Sequence, residues 1–276
     1  MNIIKNSFSK ASTKYENYAH IQNEIAKILL KKIKNHFITN DPKKILDIGS
    51  GTGIFTRILK QNFFNSKIFA FDISPNMIKL AEQKNNYKKG SKVSFFCADA
   101  EDFKNLKKIK DANQNLIFSK NENNKFDLIS ANSSIQWLKN FENILKFYSK
   151  FLIKNGFFIF SVFGNKKFCE LNSALKKFYQ NSNFNPDNTE IISTKFLTKK
   201  DYIKILEKFD FLENLKIEEI FLKKNYSNIF ELLQNIKGTG TNIKKNTNIR
   251  QIFWTPKMLK DLEGIYRAEK SNIYKD

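Results

Sequence analysis

Apolar positions along the chain switch between helical spacing and short continuous runs. Ile21, Ile25, Ile28, Leu29 and Ile33 recur at helical spacing with Lys27, Lys31, Lys32 and Lys34 between them, which predicts an amphipathic helix over 15–38, ended by Asp41-Pro42. Lys43–Ile48, Lys67–Phe71, Val93–Cys97, Phe126–Ala131 and Phe157–Phe163 are short apolar runs, the form expected of strands covered on both faces. Helices are expected between them: near 55–60, from Ser74-Pro75 (Ser as N-cap, Pro at the first helical position), around 102–109 and over 140–152. This alternation predicts an α/β fold with a mostly parallel sheet between two helical layers. The Asn- and Lys-rich stretch Lys110–Lys125 is expected to be a mobile loop before the fourth strand.

The rhythm changes after the fifth run. Leu171, Leu175 and Phe178 mark a helix, Asn181–Asn188 a polar loop, and Thr198–Phe209 a helix with Tyr202, Ile205 and Leu206 turned inward. Leu215–Leu222 is expected as a further strand, Ile229–Ile236 as a helix, and Thr255-Pro256 as the start of a last one. Three regions follow: an N-terminal helical lid (1–40), a core (41–164), and the end of the sheet with an inserted helical lid (165–276).

Composition narrows the chemistry. The 276 residues are 41% hydrophobic, include 28 Phe, and carry 48 Lys+Arg against 27 Asp+Glu, a formal charge of +21. That excess suits an acidic partner such as nucleic acid, a membrane surface or an acidic protein, although codon composition rich in Lys, Asn, Ile and Phe explains the same charge. The two cysteines, Cys97 and Cys169, exclude a disulfide framework and favour a reducing compartment. His20 and His36, the only histidines, form no metal-ligand pattern with the cysteines and lie near no nucleophile elbow, which argues against zinc and Ser-His-Asp chemistry. No apolar run approaches the ~18 residues of a membrane span, so a soluble cytoplasmic protein is expected, with no membrane association.

The sharpest motif is Ile45-Leu46-Asp47-Ile48-Gly49-Ser50-Gly51-Thr52-Gly53, a strand running through a glycine loop into a helix. Such glycines permit a tight turn and close approach of a ligand to the backbone. Asp72 ends the second strand, 19 residues beyond Gly53, where an acid can reach the two hydroxyls of a ribose. The dinucleotide fingerprint needs its third glycine where Ile54 stands, so a pyrophosphate-binding version fits poorly. The pattern resembles the class I S-adenosylmethionine-dependent methyltransferases, whose Rossmann-like fold the chain is then expected to share. The resemblance implies S-adenosylmethionine as cofactor and S-adenosylhomocysteine as product. It assigns the loop of Asp47, Gly49, Ser50, Gly51 and Gly53 to the methionyl part, Asp72 to the ribose and Asp99 to the adenine amino group, with Ile73, Met77 and Ala100 as further cofactor-binding residues. Asn132, after the fourth strand, joins the cofactor set, and Glu101 is expected either in the site or as a helix cap.

Three further segments narrow the resemblance. Phe8-Ser9-Lys10-Ala11-Ser12-Thr13-Lys14-Tyr15, Asn132-Ser133-Ser134-Ile135-Gln136-Trp137 and Leu233–Asn242, with its Lys237-Gly238-Thr239-Gly240, together resemble the malonyl-acyl-carrier-protein O-methyltransferases of biotin synthesis. This implies methylation of the free carboxylate of a malonyl thioester, with an acidic acyl carrier protein as partner. Tyr15 is then expected to donate to that carboxylate, Lys195 to orient it, and Gln136, Trp137, Gly238 and Asn242 to belong to the substrate lid. The family's final antiparallel strand has no clear counterpart before Ile273-Tyr274-Lys275-Asp276. A free-acid carboxyl methyltransferase, resembling trans-aconitate methyltransferase, remains the alternative. An RNA-directed enzyme is disfavoured because Asn132-Ser133-Ser134-Ile135 stands where base-nitrogen methyltransferases carry Asn/Asp-Pro-Pro-Tyr/Phe, so a monomer without nucleic acid is expected.

Overall fold

A computed structural model describes residues 2–84, 92–119, 121, 125–181, 196–210, 212–240 and 255–273. Five strands run parallel in the order β3-β2-β1-β4-β5: β1 (Lys44–Ile48), β2 (Lys67–Asp72), β3 (Val93–Cys97), β4 (Phe126–Asn132) and β5 (Leu152–Ser161). The order reverses direction between β1 and β4, so the loops leaving their C-terminal ends diverge and open a crevice there.

Each strand sends alternate side chains to opposite helical layers. Leu46, Ile48, Phe69, Phe71 and Ile129 face α7 (Phe141–Tyr148), packing on Ile144, Leu145 and the fully buried Tyr148. Ile45, Ile68, Ala70 and Leu128 face α3 (His20–His36), α4 (Ile54–Asn62) and α5 (Pro75–Lys84), through Ala26, Leu29, Ile33, Leu59 and Ala81. Asp47 shares the parity of Ile45 and so turns toward α4. Ser74 Oγ accepts from Met77 N at 3.3 Å, the N-cap expected for α5.

A third cluster joins α8 (Cys169–Asn181), α10 (Ile229–Gly238) and α11 (Pro256–Ile273) through Leu171, Leu175, Phe178, Ile229, Leu232, Ile236 and Leu262. Between these helices in sequence, α9 (Lys199–Leu206) is closed by a Thr198/Asp201 capping box and packs Tyr202 and Leu206 back on the sheet.

Several expectations need correction. The single helix over 15–38 is two, α2 (Tyr15–Tyr18) and α3, because Ala19 leaves helical geometry; a further helix, α1 (Asn2–Ala11), precedes them. Residues 110–119 are anchored rather than loose. Asp111 accepts from Asn113 N, Asn115 N and Lys67 Nζ, while Ile117 and Phe118 are buried against the sheet. Asp102, not Glu101, caps α6 (Phe103–Leu106) by accepting from Asn105 N. Leu215–Leu222 forms no strand and joins no ladder: Ile217 reaches the core, Leu215, Ile220 and Phe221 are exposed, and Glu218 pairs with Lys32. Without a neighbouring strand its alternation has nothing to pair with, and β5 stays the half-exposed sheet edge among the described residues. The loop expected over Asn181–Asn188 lies outside the described residues after Asn181. No helix among the described residues is long and apolar enough to cross a membrane.

Candidate active site

The crevice at the β1–β4 switch is a partly open cleft lined by Phe8, Tyr15, Gln22, Asp47, Gly49–Thr52, Asp72, Met77, Asn132–Ser134 and Trp137. Its floor is the glycine loop. Gly49 and Gly51 take left-handed φ of +69° and +55°, and a Cβ on Gly49 would fall 2.4 Å from Ser134 Cβ, whereas one on Gly51 would meet nothing within 4 Å. One glycine therefore allows the loop to pack on β4, and the other leaves open room beside the backbone. Gly49 N and Ser50 N both donate to Phe71 O at 2.9 Å, tying the loop to the end of β2.

Two acids face this floor. Asp72 accepts from Gly51 N at 3.0 Å and Ser74 N at 2.8 Å; burial raises its carboxyl above the usual range and these amides pull it back in part. Asp47 is 1% exposed and accepts from Thr56 Oγ1 at 2.6 Å, while its Oδ1 meets no donor. Burial above all pushes it up to about 7, with the Asp72 charge adding to the rise and the Thr56 hydrogen bond opposing it. Ser50 Oγ is a second buried polar atom without a partner on the same floor. Partnerless polar atoms beside open room at a glycine loop suit a ligand that carries cationic and hydroxyl groups.

Beyond Asp72, a neighbouring cavity is lined by Cys97, Ala98, Asp99, Asp102, Leu106 and Ile109. Asp99 accepts from Glu101 N at 2.9 Å, and Ala100 is buried behind it. Ile73 stands half-buried at the head of the β2–α5 turn, and Met77 is buried against the main cleft. Glu101 accepts from Lys139 N and Asn140 N, holding the approach to α7. Asn132 lines the cleft, but its amide donates to Gln22 O at 3.0 Å and accepts from Ser161 Oγ at 3.0 Å, so it joins α3, β4 and β5.

The roof comes from both ends of the chain. Trp137 stands edge-on between Phe8, at 5.6 Å, and Phe196, at 5.4 Å. Gln136 donates to Ser133 O at 2.7 Å, and its Oε1 is buried without a partner. Tyr15 hangs over the floor; burial, then the charges of Asp72 and Glu16, raise its hydroxyl above the ordinary phenol value, which keeps it a proton donor. Gly238 is not at the cleft: it lets α10 lie on the Tyr18 ring, where a Cβ would come within 2.1 Å. Asn235 Nδ2 donates to Tyr18 O at 3.2 Å and Ser7 Oγ to Gly240 O at 2.8 Å, joining the C-terminal lid to the N-terminal one. Lys195 and Asn242 lie outside the described residues. Sequence reasoning passed over Phe8, Thr56 and Phe196, although Phe8 stood in a quoted motif and Thr56 lies one turn into α4.

The parallel sheet, glycine loop and paired acids are those of a methyltransferase, and the "Methyltransferase domain" family model matches residues 18–214. Phosphoethanolamine N-methyltransferase 2 of Haemonchus contortus, solved in complex with S-adenosyl-L-methionine, shares the fold. Its TM-score is 0.52 at 15% identity, over 97% of this chain and 54% of that one. A malonyl-[acyl-carrier protein] O-methyltransferase of Ilyobacter polytropus is 31% identical over 239 residues, 87% of this chain and 80% of the relative. Its second such enzyme is 30% identical, covering 96% and 85%, and that of Bacillus cereus is 25% identical, covering 97% and 89%. The chain belongs to the malonyl-[acyl-carrier protein] O-methyltransferase family.

Proposed function

We propose that this chain methylates the free carboxylate of a malonyl thioester carried by acyl carrier protein, as an early step of biotin synthesis. The observation that carries the reading is the composite roof: segments 8–15 and 132–137, far apart in sequence, line one cleft, and segment 233–240 braces the N-terminal helices from behind through Asn235 on Tyr18 and Ser7 on Gly240. S-adenosylmethionine supplies an electrophilic methyl group, which the carboxylate oxygen takes in line with the departing sulfur to give the methyl ester and S-adenosylhomocysteine.

A carboxylate is ionised at neutral pH, so the chain needs no general base. Its residues position the partners and exclude water instead. In this reading Asp72 accepts from the ribose hydroxyls, Asp99 from the adenine amine, and Asp47 beside the turn of Gly49–Gly53 holds the methionyl end. Ile73, Met77 and Ala100 wall the purine and ribose, and Asn132 keeps β4 and α3 in register beneath them. The protonated Tyr15 hydroxyl donates to the substrate carboxylate, Lys195 supplies its countercharge, and Gln136, Trp137, Gly238 and Asn242 build the lid. Removing the charge makes the acyl group acceptable to enzymes that extend apolar chains.

The enzyme acts as a cytoplasmic monomer without nucleic acid. The basic surface then serves to steer an acidic carrier protein. Methyl transfer followed by mass spectrometry on malonyl-carrier protein, malonyl-coenzyme A and free malonate tests the assignment. Carrier protein is expected to be used best, with a rate that falls as salt screens exposed charges beyond ~10 Å at 0.1 M. Preference for free malonate or another small acid would favour the trans-aconitate-like reading.

A further inference from the structure

We propose that Glu16 is the positioning residue that holds the N-terminal helices closed over the bound cofactor, so that it governs how fast the cofactor leaves. The side chain is a hub between three core elements. Oε1 accepts from Thr52 Oγ1 in the glycine loop at 2.6 Å and from Arg57 on α4 at 3.2 Å, and Oε2 pairs with Lys84 on α5 at 3.0 Å. Arg57 also donates to Thr52 O at 3.1 Å, which closes a ring of contacts around the glycine loop. Burial raises the Glu16 carboxyl, but the Thr52 and Lys84 hydrogen bonds and the nearby cations outweigh it, so the group stays ionised.

Nothing local can hold this segment. Helix α2 has four residues and no side-chain cap, far below the length at which a helix persists without tertiary contacts. Yet it carries Tyr15 over the cleft, and on its other end Tyr18 receives α10 at Gly238 and Asn235. Helix α1, immediately before it, brings Phe8 to Trp137 and joins Gly240 through Ser7. The two lids are therefore linked to each other. Phe8, Tyr15 and Trp137 line the cleft together with Gly49–Thr52, so movement of the N-terminal helices widens the way out for a ligand lying on the loop. Glu16 is 24% exposed in its side chain and Lys84 38%, so water can replace these contacts when the lid lifts. A half-exposed charged hub adjoining the glycine loop suits a latch that opens and closes, whereas a purely structural anchor would be better placed in the dry core.

The inference rests on the cleft binding S-adenosylmethionine, and calorimetry on the unaltered protein checks that first; no binding would overturn both readings. The test itself is stopped-flow release of S-adenosylhomocysteine, read by tryptophan fluorescence, from the parent and from Glu16→Gln and Lys84→Gln. Release is expected to be about 5- to 20-fold faster in Glu16→Gln, within the usual span of site-to-site coupling, and faster by a smaller factor in Lys84→Gln. The KM for the cofactor should rise in parallel while kcat at saturation changes by less than KM, and the ligand-free melting temperature should hold. Unchanged release overturns the proposal, as does a loss of affinity matched by a drop in ligand-free melting temperature, which would mark Glu16 as a plain structural anchor. Should Glu16→Gln not fold, Lys84→Gln at the exposed flank decides alone by the same two criteria.

Discussion

Asp47 offers a prediction whose sign runs against the usual behaviour of a carboxylate. Most acids in folded proteins are paired and add stability as pH rises; Asp47 is buried, has one oxygen without a donor, and is pushed from 3.8 up to about 7. Between those values the folded chain keeps a proton on Asp47 that the unfolded chain has lost, so the contribution of Asp47 to ligand-free stability is greatest below 3.8 and falls as pH rises through 7. At ~1.4 kcal/mol per pKa unit the full change is about 4 kcal/mol, of which about 2.5 kcal/mol falls between pH 5 and 8. Asp47→Asn keeps an acceptor for Thr56 Oγ1 and abolishes the titration. Urea unfolding of both proteins without cofactor at pH 5 and pH 8 should show the Asn variant gaining on the parent by about 2.5 kcal/mol across that interval. Asp72 is raised as well, and because its charge is one cause of the Asp47 shift the difference reports Asp47 together with its coupling to Asp72. A cationic cofactor entering the cleft favours the ionised form, so binding near pH 6.5 should release a proton in the parent and not in the variant, measured by calorimetry in two buffers. Parallel stability curves, with a difference that stays within about 0.5 kcal/mol, would refute the assignment of a protonated Asp47.

Three further outcomes follow from the same geometry. Asp72→Ala removes the acceptor proposed for two ribose hydroxyls and should weaken S-adenosylmethionine binding by about 1–3 kcal/mol; unchanged calorimetric affinity removes Asp72 from that role. Tyr15→Phe should lower methyl transfer with cofactor affinity nearly intact, and equal losses of both would place its hydroxyl on the cofactor instead. Gly238→Ala drives a methyl group into the Tyr18 ring and should cost about 1–3 kcal/mol of stability, while Gly51→Ala, whose Cβ meets nothing within 4 Å but whose φ of +55° is left-handed, should cost about 1–2 kcal/mol through backbone strain and bind cofactor poorly.

The parts of the site legible in the sequence are those whose chemistry is local. Asp47 and Asp72 sit at strand ends beside a turn, and the parity of a strand is enough to say which way each points. Asp99 follows β3 in the same manner. What was not legible depends on contacts between distant segments. Helix α1 carries an apolar stripe of Ile4, Phe8 and Ala11, but where it docks is set by Ser9 on Ser74 and by Ser7 on Gly240, partners 65 and 233 residues away. Residues 110–119 look like solvated loop because Asn and Lys dominate, but Asp111 gathers three donors and two apolar residues nearby enter the core. Leu215–Leu222 fails in the opposite sense: it has a strand's composition without a strand's neighbour. Glu16 was hidden because a single glutamate in a polar segment carries no pattern, and its three partners come from three different elements.

That division between local and distant contacts follows the chemistry. A nucleophile that arrives already ionised asks the enzyme for no proton transfer, so no dyad or triad with its own spacing is needed in the sequence. The rate must come from holding a carboxylate against a sulfonium in a space that water has left, where their attraction is strongest. Such a space is made by closing lids, and lids are made of long-range contacts: an aromatic stack from Phe8 through Trp137 to Phe196, a glycine that lets α10 lie on Tyr18, and a glutamate that ties both to the loop beneath. The glycine loop is written in one stretch of chain, whereas the roof proposed to select the acyl group, with the helices that brace it, is dispersed over residues 8 to 240. Substitutions in the floor should therefore alter cofactor affinity first, and substitutions in the roof should alter which acids are methylated and how fast.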